Sequence, residues 1–183
     1  MNNFGKCQVF TDNLITFSIG DAVFRRIVIH ALILIVAFNL LSFIRETRML
    51  ADDELLSKAP HQLTSLMAET VSLTAQDKTT VIYFFAPWCK ICHLSIENLQ
   101  TIYLQNENID VIAVALDYNK QEEVIEFSKQ HQLTFPIVYG NAKVKADFKV
   151  SAYPSYYVLN KDNEIIGKSL GYSTELGLYL RTL

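Results

Sequence analysis

Residues 79–94 read TTVIYFFAPWCKICHL, and no other stretch restricts the fold as strongly. TTVIYFFA is an uncharged run of apolar, aromatic and β-branched residues, the pattern of a strand buried on both faces. Pro87 cannot donate to a sheet ladder and ends it. From about Cys89 to Gln105, Ile91, Cys92, Leu99, Ile102 and Tyr103 recur on one helical face, with His93 and Gln100 opposite. A buried strand feeding an amphipathic helix is half of a βαβ unit, and Cys89-Lys90-Ile91-Cys92 lies at its junction. The tetrapeptide alone is a redox dithiol spacing; with His93 it becomes C-x-x-C-H, the attachment signature of a c-type haem.

The rest of the carboxyl-terminal part repeats the alternation. QLTSLMAETVSL predicts a short hairpin about Ala68 and Glu69. IDVIAVALD predicts a second buried strand, and Asn119 with Glu122 forms a capping box opening a helix to about His131. PIVYG is a further strand and NAKVKADFKV a short helix. SYYVLN and EIIGKSL pair antiparallel about Lys161-Asp162-Asn163, and STELGLYLRTL closes the chain as a helix capped by Ser173 or Thr174. Strands alternating with helices, then a hairpin and a last helix, make an α/β sandwich with a mixed sheet.

Ahead of this domain, Ile27 to Ile44 run 18 residues without a charge, flanked by Arg25 and Arg26 before and Arg45 and Arg48 after. Such a helix is about 27 Å long, close to the hydrocarbon core of a bilayer. A buried core helix and a cleaved signal peptide are the alternatives. Arg45, Glu46 and Arg48 occupy the place where a signal carries small residues, which favours an uncleaved anchor. The charges at its two ends are too evenly matched to orient it. The expected organisation is a tail over 1–26, a transmembrane anchor over 27–44, a polar linker over 45–60 and one domain over 61–183. The net charge of −3 speaks against a nucleic-acid partner. Three cysteines are too few for a disulfide-stapled scaffold, and Cys7, far from the pair, is expected to be inert.

At the first position of the helix, Cys89 would be ionised by unpaired backbone N–H groups and the helix dipole, aided by Lys90. Cys92, one turn on and facing the core, would meet it at disulfide distance and resolve a mixed disulfide. His93 is expected to be solvated, as is Glu97 on the helix, and Asp117 is expected to be a strand-end or cap residue. A haem needs an axial histidine, usually a second ligand and an apolar pocket. Met49, Met67, His61 and His131 offer no recognisable partner pattern. A closed zinc site lacks its second ligand pair.

VIYFFAPWCKICHL, with Trp88 before the cysteine pair, and VSAYPSYYVLN, with its Tyr153-Pro154, resemble the thioredoxin superfamily. The leading hairpin, the strand-helix segment between the two motifs and the amino-terminal anchor are similar to the TlpA/ResA branch. That resemblance implies a thioredoxin-like three-layer sandwich over 61–183 and a redox-active Cys89–Cys92 disulfide supported by Pro87, Trp88 and Lys90. It also implies a cis Pro154 facing the dithiol, with the backbone of Tyr153 pairing to an extended substrate. Protein thiol or disulfide substrates, a membrane electron donor or acceptor and bilayer contact through 27–44 follow from it, with no cofactor and no metal. The implied location is the bacterial inner membrane, single-pass, with the domain in the periplasm. Tyr83 stands where thioredoxins carry a buried acid, Ser95 where cytochrome-maturation members often carry a glutamate, and Ile91 replaces the usual proline. The expected activity is thiol-disulfide exchange; the alternatives are a covalent haem electron carrier and a binding or assembly factor with incidental thiols.

Overall fold

The computed structural model describes residues 12–46, 49 and 61–183; within the first helix, side chains are described at 24–40 and 44. Cys7 and nearly all of the expected linker lie outside the described residues. The chain divides into two units, Met1–Ile44 and Arg45–Leu183. The first carries most of α1 (Asp12–Glu46), along which Phe24, Ile27, Leu34, Val36 and Phe38 are exposed. Among the described residues no helix is long and apolar enough to cross a membrane. Side chains 41–43 of the span expected over 27–44 are outside that description.

The second unit is built on a five-stranded sheet in the order β5-β4-β3-β6-β7. Its members are β3 (Thr79–Phe85), β4 (Ile109–Ala115), β5 (Ile137–Tyr139), β6 (Ser155–Leu159) and β7 (Ile165–Leu170). β3, β4 and β5 run parallel, whereas β6 pairs antiparallel with both β3 and β7, giving the mixed sheet expected from the sequence. A separate antiparallel hairpin, β1 (Gln62–Thr64) with β2 (Thr70–Ser72), precedes it. Leu66 N–H donates to Ile137 O at 3.0 Å and ties the hairpin to β5.

The continuous apolar runs arise because both faces of the sheet are covered. Alternation along β3 sends Val81, Tyr83 and Phe85 into one core and Ile82 and Phe84 into the other. The first core is closed by α2 (Lys90–Gln105), α3 (Gln121–Gln130) and α5 (Glu175–Leu180), through Ile96, Leu99, Phe127 and Leu178. The second is closed by α4 (Ala142–Asp147) and the hairpin, through Val144, Leu63 and Leu73. Met49, expected in the polar linker, is buried in this second core, its apolar side chain finding cover there. The expected capping box is displaced by one residue: α3 starts at Gln121, and Glu123 rather than Glu122 reaches back to Asn119 N–H at 3.1 Å. Thr174 caps α5 as expected, accepting from Gly177 N–H at 3.1 Å.

Candidate active site

β3 delivers the chain to a tight turn over 86–89, and α2 begins immediately after it. Cys89 is the N-cap residue, in extended backbone, not the first helical residue as the periodicity predicts. Its Sγ accepts from Cys92 N–H at 3.2 Å, the bond a serine or threonine oxygen makes at most helix starts. With no acidic residue in the first turn, the positive end of the helix dipole meets no countercharge from its own helix there. Both effects favour a thiolate on Cys89 once the pair is reduced. Cys89 and Cys92 are joined in a disulfide with Cα atoms 5.2 Å apart. Cys89 keeps 6% exposure and Cys92 none, so an incoming sulfur can reach only the first. Lys90 and Trp88 are exposed, and Pro87 is partly buried.

One flank of the dithiol is an aromatic frame. The Tyr153–Pro154 bond is cis, and the Tyr153 ring meets Trp88 edge-on, centroids 5.9 Å apart. Asp117, held at a left-handed φ of 49°, is the hub. Its carbonyl accepts from Trp88 Nε1 at 2.8 Å, its carboxylate from Tyr153 OH at 2.9 Å, and the same carboxylate oxygen pairs with Lys145 Nζ. Lys145 Nζ also lies 5.5 Å from the Tyr153 ring centroid. The hydrogen bond from Lys145 is the main reason the Asp117 carboxyl lies below its usual range; that from Tyr153 adds to it. Burial, then the neighbouring Asp117, pushes the Tyr153 phenol well above the tyrosine range.

The other flank is imidazole. His93 Nε2 lies 2.9 Å from Pro87 O, and His93 Nδ1 lies 2.7 Å from His131 Nε2. His131 Nδ1 continues to Glu97 Oε1 at 3.3 Å. The Phe127 ring packs against both imidazoles, with centroids 4.6 and 4.9 Å away. In the core that also holds the dithiol, Tyr83 OH is hydrogen-bonded to Ser95 Oγ. Burial pushes the Tyr83 phenol far up, the Ser95 bond offsetting part of that, so this position holds a neutral hydroxyl pair.

A sequence profile described as the AhpC/TSA family matches residues 57–168. The chain belongs to that family. Thioredoxin-like protein YneN of Bacillus subtilis is 32% identical over 119 residues, 62% of this chain and 69% of the relative. Thiol-disulfide oxidoreductase ResA of Bacillus cereus is 24% identical over 158 residues, 82% of this chain and 91% of its own length. Among solved structures, StoA from Bacillus subtilis superposes with a TM-score of 0.62 at 24% identity, over 68% of this chain and 97% of that one. A secreted Mycobacterium tuberculosis disulfide oxidoreductase gives 0.59 at 16% identity, over 67% and 94%. These superpositions establish a thioredoxin-like α/β fold with a mixed sheet.

Within this AhpC/TSA domain three sequence expectations need correction. His93 is only partly exposed, not free in solvent: α3 packs beside α2 and puts Phe127 and His131 against its ring. His131 has a partner pattern after all, in His93 and Glu97, from elements 38 and 34 residues away along the chain. Asp117 is no simple strand-end residue but holds Trp88, Tyr153 and Lys145 together. Glu97 is exposed, as expected, but bonded to His131. Lys145 had no signal in the sequence beyond a helical position. The haem reading fits poorly, because both His93 ring nitrogens are engaged and the two sulfurs are bonded to each other.

Proposed function

We propose that this chain is a membrane-anchored thiol-disulfide oxidoreductase that exchanges disulfides with proteins outside the cytoplasm, in the periplasm of a bacterium, with Cys89 and Cys92 as its reacting groups. The observation that carries the reading is a Cys89–Cys92 disulfide at the amino end of α2, of which the first cysteine alone keeps any exposure, beside the Tyr153–Pro154 loop. In the reducing direction the Cys89 thiolate attacks a substrate disulfide, forming a mixed disulfide and releasing one substrate thiolate. Cys92 then attacks Cys89 Sγ, which closes the internal disulfide and frees the second substrate thiol. Two electrons pass to the substrate, and a membrane dithiol donor restores the pair; in the oxidising direction every step reverses.

Trp88, Pro87 and Lys90 shape the approach to Cys89, and the Tyr153 backbone offers an edge for an extended substrate peptide. Residues 27–44 provide the anchor, a reading supported by 18 uncharged residues between arginine pairs. A thioredoxin-fold binding factor would keep its function with both cysteines as serine. Cys92→Ala in the full-length chain should accumulate Cys89-linked mixed disulfides, visible on non-reducing gels. Absence of trapped partners, together with full exchange by Cys89→Ser, would sink the reading.

A further inference from the structure

The histidine flank carries a constraint that follows from counting protons. Pro87 O can only accept, so His93 Nε2 donates to it. One proton must lie between His93 Nδ1 and His131 Nε2, and one between His131 Nδ1 and Glu97 Oε1. The three contacts therefore need three protons, whereas two neutral imidazoles supply two. With Glu97 ionised, the third makes one of the rings an imidazolium. With fewer, one of the three contacts is left with two lone pairs facing each other; with one more on the rings, two N–H groups collide across 2.7 Å. The chain is complete in one protonation state only.

Its two ends differ. Glu97 is 72% exposed in its side chain and His131 6%, so the carboxylate end of the chain meets solvent. The inner end is the carbonyl of Pro87, in the turn whose next members are Trp88 and the N-cap Cys89. His93 also donates its backbone N–H to Cys89 O at 3.2 Å. Besides Glu97, the charged groups within one turn of the pair are Lys90 on α2 and Lys129 at the end of α3; the 86–89 turn adds only Cys89 itself.

We propose that His93, His131 and Glu97 are positioning residues for the exchange reaction: a one-proton chain that clamps the Pro87 carbonyl, holds Cys89 in its N-cap geometry and brings positive charge near it. Moving the middle proton from His131 to His93 shifts that charge one ring closer to Cys89. This inference rests on the function proposed above, because only a reacting Cys89 would register it. Losing the proton breaks one link of the chain, removes its positive charge and lowers Cys89 reactivity.

The test uses the full-length chain, with iodoacetamide alkylation of reduced Cys89 followed against pH and the histidine ring nitrogens followed by NMR in the same samples. The wild-type profile should show, beside the titration of the thiol, an inflection coinciding with that of the imidazole pair, with the His93 proton on Nε2. Glu97→Gln can donate to a neutral His131, preserving the chain while removing the need for the extra proton, and should move that inflection to lower pH. His131→Phe should abolish it and slow alkylation about two- to fivefold, the scale of a partly exposed ionic contact. Profiles of both variants that superimpose on wild type, or a His93 whose Nε2 carries no proton, would overturn the proposal. A wild-type protein whose disulfide does not exchange with a dithiol would instead overturn the function, and this inference with it.

Discussion

The two faces of the central sheet bury similar aromatic and aliphatic side chains, yet they differ in what accompanies them. On the α2 face, Tyr83 OH bonds Ser95, Ser173 Oγ donates to Tyr156 OH at 3.1 Å, and the cysteine pair sits at the end of the layer. On the α4 face, Phe84, Phe148 and Tyr157 form a ring cluster, Phe84 and Phe148 centroids 4.9 Å apart, and Tyr157 OH closes onto Phe148 O at 2.7 Å. One face supports the rigidity of the scaffold through packing. The other spends part of its burial on hydroxyl pairs, in the same core that holds the dithiol. The separation is possible because β3 side chains alternate, so neighbours in sequence serve opposite layers.

That contrast can be broken most directly at Phe84. Phe84→Ala should cost about 3–5 kcal/mol in urea unfolding, since the side chain is fully buried among rings. The reduction potential of the folded pair should stay within about 30 mV of wild type; a larger shift would mean that the faces are not independent. Next in size is Tyr83→Phe, which leaves Ser95 buried without its partner. A loss of about 1–3 kcal/mol is expected, and a variant as stable as wild type would show that the hydroxyl pair contributes nothing to folding.

The smallest effect belongs to Asp117→Asn, on the rim. The folded-state carboxyl is depressed, chiefly by the hydrogen bond from Lys145, so its stabilisation exists above the ordinary carboxylate value, about 3.9. It is lost as pH falls through the lower folded value. Because the pair is more than one-third exposed, the neutral-pH difference should be under about 1 kcal/mol. Wild type and variant should converge in acid; a gap that persists or widens there would assign the effect to packing instead of charge.

The dithiol, the order of strands and helices and the closing hairpin were legible because each depends on neighbours a few residues away. Apolar runs name strands, helical periodicity names α2, and Pro87 marks the junction. Smaller displacements arose where alternatives lie one residue apart. Cys89 serves as the cap instead of opening the helix, and Glu123 does what Glu122 was expected to do. Both outcomes turn on backbone angles at the helix start, which residue identities constrain only loosely.

By itself the sequence determined that a buried strand would deliver two cysteines, one turn apart, to the amino end of an amphipathic helix, with a long uncharged run far ahead of them. Only the tertiary structure decided what surrounds those sulfurs. His93 finds His131 across 38 residues, and Asp117 finds Tyr153 across 36 and Lys145 across 28. Those meetings depend on which helix packs beside α2 and where the β4 and β6 ends come together, set by the burial of whole faces and by the strand order. A spacing rule records contacts within a helix turn or a strand pair; it holds no information about side chains brought together by the closing of separate layers.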